Sequence, residues 1–405
     1  MLRHPSRRGD SLPVILTAWV CYAAISISLN FSVCEVLGRD VHMRSNRSSE
    51  DRLKYFIIDP TGEIVIDATK YSRVLPFSEG LAAVRSDRGW GFIDKRGQEI
   101  IRPQFAGVRS FSEGLAPVQV NGSWGFIDRH GQMVIAPLYS HASLFSEGVA
   151  VVIRSEETNT FDLTKGFGSR STITGSRRII RRELIVGAAR SNESQTADEE
   201  NSELLLIDTK GKSILSRTFS ELQVNLDGKI SEGLIEAYEP KTKKFGFIDK
   251  SGTFVIPAHF VQVGPFSEGL ARAAIIVDGE EKMGLIDHSG EFIVPPRFKT
   301  DSDFSRNSTD FSEGLAGIFE GAAPTITESR GYFYIDRKGT VILRTPFSYA
   351  GRFNDGLACV YDSEKGLWGF MDKTGRLAIP IQFDSASDFS DGLAVVAHLT
   401  SGRVG

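Results

Sequence analysis

Cysteine is scarce, with three in 405 residues. Cys21 and Cys34 fall in an uncharged N-terminal run and Cys359 stands alone among the repeats. That spacing makes neither a disulfide framework nor a cysteine metal site. Histidine is thin as well, seven in all, and His130, His141 and His259 occur at variable places rather than at metal-ligand spacing. G-x-S-x-G, H-E-x-x-H and Walker sequences are absent, and Gly166-Phe-Gly168 is too short to cradle a phosphate. Positive charge is not in excess. The formal charge of −4 gives no general attraction for nucleic acid or acidic membranes. These absences leave no catalytic residue, no cofactor and no metal to expect.

What is present begins with an atypical N-terminus. Arg3, Arg7 and Arg8 precede residues 11–34, a run without a charge, apolar at first and more polar from Ser26. That order is expected of a secretory signal, so residues 1–34 read as a signal peptide or, if uncleaved, an N-terminal anchor over residues 12–33. Pro13 and the serine-rich end favour cleavage, and the expected location is exported: periplasmic, secreted or on the cell surface. Residues 35–54 are mostly polar and read as a tether. The remainder, 41% apolar and 24% charged over the whole chain, has the composition of a folded protein.

That remainder is repetitive. The stretch from Trp90 to Val118 returns in close copy from Trp124 to Val152, with two anchors, G-F-I-D-x-x-G and F-S-E-G-L-A. The first anchor places Asp59, Asp94, Asp128, Asp208, Asp249, Asp287, Asp336 and Asp372. The second places Glu79, Glu113, Glu147, Glu232, Glu268, Glu313, Asp355 and Asp391. A period in the thirties marks a repeat architecture, in which a unit buries its apolar face only against a neighbour. Repeats 1–3 occupy residues 55–152 and repeats 4–8 residues 203–396. A long insertion at 153–202 separates them, a tail at 397–405 follows, and smaller insertions lie at 299–310 and 321–330.

The chain resembles the bacterial WG-repeat family, on Trp90-Gly91, Trp124-Gly125, Trp368-Gly369 and the copies around them. The resemblance covers about residues 55–396, with one break. It implies an all-β array, usually without an assigned activity and often in exported or surface proteins. It brings no catalytic residue.

Within a unit three short strands are expected: A-x-V after S-E-G-L, then G-F-I-D, then x-V-I-x-P. Asp-x-x-Gly joins the second to the third as a turn, and Pro103, Pro137, Pro257 and Pro380 end the third by lacking a donor. Three strands are few for a propeller blade, typically of four. The expectation is therefore an all-β tandem array of about eight three-stranded repeats in an open, curved, solenoid-like stack, with a closed propeller-like ring as the alternative. The Trp column reads Tyr55, Trp90, Trp124, Leu204, Phe245, Met283, Tyr332 and Trp368. Bulk survives along it and a ring does not, which points to core packing rather than ligand stacking. The paired carboxylate columns could suggest glycoside hydrolysis or calcium binding. A feature present in every unit is architecture, however.

Specificity should then come from what differs between units. The one basic cluster is Arg177, Arg178, Arg181 and Arg182 in the long insertion, a candidate patch for an anionic partner or else a solvated loop. The expected function is a non-catalytic binding or scaffolding module. Its rivals are a surface or envelope spacer and an enzyme with a site built from the insertions. The expected partner is a protein or cell-surface polymer. Nucleic acid is not expected, nor a membrane except through the N-terminal segment.

Overall fold

The Val-, Ile- and Phe-rich runs are strands, and the Gly- and Asp-bearing breaks between them are tight turns. The computed structural model describes residues 52–154, 203–218, 223–224, 230–299, 310–319 and 332–400. Among these residues no helix is long and apolar enough to cross a membrane.

The strands form eight antiparallel sheets, seven of four strands and one of three. Residues 107–139 show the pattern. Gly107–Val108 pairs with Leu115–Val120, that with Ser123–Asp128, and that with Met133–Tyr139. A unit of this kind has the three expected strands and a fourth ahead of S-E-G, two residues long here and six, Arg73–Ser78, in the sheet before it. We number these sheets as blades. Blade 2 is residues 73–105, blade 3 107–139, blade 4 141–218, blade 5 223–260, blade 6 262–299, blade 7 316–344 and blade 8 349–383. Blade 7 is the three-stranded one among the described residues.

Blade 1 joins the two ends of the chain. Arg52–Ile58 lies between Ile64–Asp67 and the C-terminal strand Ala394–Thr400, which it pairs from Arg52↔Thr400 to Ile58↔Ala394. The open stack is therefore corrected to a closed ring of eight blades, and the strand count per unit from three to four. The strand pairing extends beyond the repeat bounds at three places. Residues 52–54 are strand rather than tether, the last strand runs to Thr400, and Val149–Arg154 carries strand into the start of the long insertion.

The outer strand also differs from expectation. Pro103 does not end it; Glu99–Phe105 continues past the proline with a bulge. Trp90 opposes Phe105 and Phe92 opposes Ile101, so the outer strand carries two residues more than its partner over that interval. Pro137, Pro257 and Pro380 lie in equivalent bulged strands.

Each blade packs on the next through its own apolar seam. The Phe of F-S-E-G meets the ring of G-F-I-D one blade back. Phe92–Phe111, Phe126–Phe145, Phe247–Phe266, Tyr334–Phe353 and Phe370–Phe389 stand 4.8–4.9 Å apart, centroid to centroid. Tilted pairs of this kind contribute about 0.5–1.5 kcal/mol each beyond the area they bury. The Trp column is core in most blades: Trp90, Leu204, Met283, Tyr332 and Trp368 are buried. Tyr55, Trp124 and Phe245 are only half-buried, so Trp124 is not the fully enclosed side chain its sequence copy suggests. Its ring carries the Arg109 guanidinium at 5.7 Å.

Candidate functional site

Both recurring carboxylates are structural. In each Asp-x-x-Gly turn one carboxylate oxygen accepts the backbone N–H groups two and four residues on. For Asp128 these are His130 at 2.9 Å and Gln132 at 2.8 Å. Side-chain hydroxyls add to this in four turns. The Thr61, Ser251, Ser289 and Thr374 hydroxyls are the main reason Asp59, Asp249, Asp287 and Asp372 are held below the usual carboxylate range. In the S-E-G hairpins both central residues have positive φ, as a two-residue type I′ turn demands. Glu is uncommon in that conformation. Its carboxylate compensates by accepting the Gly N–H of the next blade's hairpin: Glu79 from Gly114, Glu113 from Gly148, Glu147 from Gly233, and so on through Asp355 from Gly392. Asp391 accepts from Gly80 at 2.7 Å and shuts the circle. Successive hairpins stand within one side chain of each other all the way round, so they surround the axis, and the short strands leading into them are innermost.

The residue after the turn Asp reinforces this circle. Lys250, Arg337 and Lys373 pair with Glu147, Glu268 and Glu313, and His288 lies 2.9 Å from Glu232. Lys95 and Arg129 reach the carbonyls of Asp391 and Glu79. Leu115 pairs with Asp128, so the S-E-G and Asp-x-x-Gly turns share one face of the disc. That face is uniform.

The opposite face roots the long insertion, the two smaller ones and both chain ends. The long insertion springs from the pair Arg154↔Glu203, at the far end of the hairpin whose near end is Val149↔Asp208. The insertion between Phe319 and Tyr332 leaves blade 7 at the corresponding pair. The one after Lys299 leaves where Lys299 pairs with Lys282, again the far end of its strand. Both chain ends leave there too, from Arg52↔Thr400. Arg177, Arg178, Arg181 and Arg182 lie outside the described residues, as do residues 1–34.

A second departure lies at the axis. The residue before the Phe of F-S-E-G is Pro76, Ser110, Leu144 and Pro265 in blades 2, 3, 4 and 6, but Asp310, Arg352 and Asp388 in three adjacent units. Arg272 of blade 6 donates to Asp310 Oδ1 through Nε at 3.3 Å and Nη2 at 2.8 Å, and both side chains are nearly buried, at 7% and 12% exposure. Arg352 Nη2 is 3.7 Å from Asp310 Oδ2. Partial desolvation would lower the half-exposed Arg352 guanidinium, but Asp310 and Asp388 outweigh it and raise it. Burial, with Asp388 adding to it, pushes the Tyr334 and Tyr349 phenols well above their ordinary value. Two cations and two anions alternate across four blades, so this arc neutralises itself. Its signal was available in the sequence, as charge at one repeat position in three consecutive units. Among the described residues no group of three or more His, Cys, Asp or Glu is arranged to hold a metal ion.

Eight sheets closed into a ring by pairing the chain's two ends define a β-propeller. The chain belongs to the WG containing repeat family, whose model matches residues 55–88, 90–124, 124–153, 245–275, 283–321, 332–365 and 368–397. The fourth repeat falls outside these matches, yet Glu203–Asp208 and Ser213–Thr218 complete blade 4. No curated protein matches the chain. Among solved structures it is similar to a streptogramin B lyase, at 11% identity and TM-score 0.37, over 86% of this chain and 98% of that one. It is similar to AztD from Citrobacter koseri at 12% identity and TM-score 0.38, over 88% of this chain and 100% of the other. The dihydro-heme d1 dehydrogenase NirN gives 12% identity and TM-score 0.44, over 81% of this chain and 73% of that one.

Proposed function

We propose that this protein is an exported, non-catalytic binding or scaffolding module whose partner, a protein or cell-surface polymer, docks on the insertion face. The observation that carries the reading is the segregation of the molecule's differences. One face is eight copies of the same two turns, and the other roots every insertion described. Loops on a rigid scaffold are where binding residues concentrate. The carboxylate columns support a non-catalytic role, because the same oxygens that would act as acid and base are engaged in turns and blade joints.

The test is capture of partners from the exported fraction by the intact protein and by a variant lacking residues 158–197. The deletion should leave the melting temperature nearly unchanged, since closing or shortening a surface loop costs little, and should abolish capture of the same partner. Equal capture by the deletion variant would move the binding surface elsewhere. Export is tested separately, by fusing residues 1–50 to a reporter active only outside the cytoplasm. A silent reporter would remove it from the reading.

A further inference from the structure

The insertion face carries a hollow of about 560 Å³ at the seam between blades 7 and 8. Its volume is within the roughly 300–1,000 Å³ of small-molecule sites. Phe319, from the last position of its strand, and Pro346 and Phe347, from the connection into blade 8, supply an apolar wall. Asp362 and Glu364, from the blade 8 hairpin, supply carboxylates. Ser348 also lines it, but its hydroxyl is engaged with the Tyr361 carbonyl at 3.1 Å.

The wall is backed by a chain of rings in tilted and edge-to-face contact and so holds its shape. Phe319 lies 5.1 Å from Tyr332, Tyr332 5.2 Å from Tyr349, and Tyr349 5.6 Å from the buried Trp368. The two carboxylates differ. Asp362 caps its own hairpin, accepting the Glu364 and Lys365 N–H groups, with the Lys365 ammonium 3.6 Å away. The Glu364 carboxylate makes no hydrogen bond or ion pair among the described residues. Aromatic faces beside an uncommitted carboxylate attract a cation through both the ring quadrupole and direct charge. An anion would be repelled, and a neutral apolar molecule would leave the carboxylate unused.

We propose that this hollow is a binding site for an organic cation: a protonated amine or guanidinium carried on an apolar stem, with the stem against Phe319 and Phe347 and the charge at Glu364. The proposal rests on the reading of the insertion face as the binding face. It names the chemistry that face recognises in its ligand, whether a free amine or a basic side chain presented by a partner.

The test is calorimetric titration of the full chain with butylammonium, with a blocked glycine–lysine–glycine peptide, and with 1-butanol and butyrate as neutral and anionic counterparts. Butylammonium or the peptide should bind at least about tenfold more tightly than butanol or butyrate, and Glu364→Gln or Phe347→Ala should each weaken that binding about tenfold. A stronger response to the peptide identifies a partner's side chain as the source, and a stronger response to the amine a free small molecule. Glu364 is exposed, so Glu364→Gln tests the site without threatening the fold, and an unchanged melting temperature shows that the wall behind it is intact. Butanol or butyrate binding as well as butylammonium would overturn the proposal, as would unchanged binding in Glu364→Gln. The titration needs no partner. Loss of capture on deleting residues 158–197 alongside a silent titration would therefore sink the hollow and leave the face.

Discussion

The glycine of Trp-Gly owes its place to a backbone crossing. A Cβ on Gly125 would stand 2.5 Å from the Ile135 carbonyl oxygen and 2.7 Å from Pro137 N, because the bulge of the outer strand presses onto it. Gly91, Gly246, Gly284 and Gly369 meet the same obstacle, each at 2.9 Å or less. Where a blade lacks the bulge, the glycine is gone. Phe56, Leu205 and Phe333 occupy the position in blades 1, 4 and 7, whose outer strands pair without those two extra residues. Glycine and the proline-bearing bulge are thus one device. The expectation is that Gly125→Ala lowers stability by about 1–3 kcal/mol, the usual cost of forcing atoms into packed space. Urea denaturation would measure it, and a change below a few tenths of a kcal/mol would show that the crossing is looser than these distances imply. The tryptophan beside it was legible as packing from the sequence, because its column keeps bulk and not aromaticity. Its degree of burial was not legible, since Trp90 and Trp124 begin close copies of one sequence, yet Trp90 is buried and Trp124 half-buried.

At the scale of the element, the turns were readable and the shortest strand was not. Asp-x-x-Gly announces itself by chemistry: a side chain that bonds its own backbone and a residue without a Cβ. Gly107–Val108 is two residues long, too short to show any alternation. Its absence from the count made the unit look three-stranded. The S-E-G hairpin was visible as a turn, but its blade-to-blade bond joins residues 35 apart, which a local pattern does not disclose. The turn carboxylates also set an acid response. Asp372 is held below its ordinary pKa, chiefly by the Thr374 hydroxyl, so its contribution is present above the unfolded-state value and is lost as pH falls through the lowered folded value. Thr374→Val should therefore melt below the parent protein at neutral pH, and the two melting curves should converge below about pH 4. A gap of constant size from pH 7 to 3 would show that Thr374 acts by something other than its bond to Asp372.

For the whole molecule, the axial arc and the closure share one reason for being hidden. Asp310, Arg352 and Asp388 each look like an isolated substitution until stacking brings their blades side by side. Arg52–Ile58 and Ala394–Thr400 are at opposite ends of the chain, and no periodicity says that they pair. Closure changes what truncation does. In an open array each unit touches only its neighbours, so deleting the last one subtracts one unit and one interface. In a ring, deleting residues 385–405 strips blade 1 of two strands and breaks the hydrogen-bonded circle at Asp391 and Gly80. That variant should lose the single cooperative transition of the intact protein, while deletion of only 401–405 should not. A circular permutant makes the opposite change. Because Arg52 and Thr400 are direct partners, a short hairpin can link them, and new ends can be opened at the exposed Asn121–Gly122 turn of blade 3. The permutant should retain one cooperative transition by circular dichroism, with the β signature unchanged. If it unfolds while the 385–405 truncation melts like the parent, the ends do not pair in solution and the array is open after all.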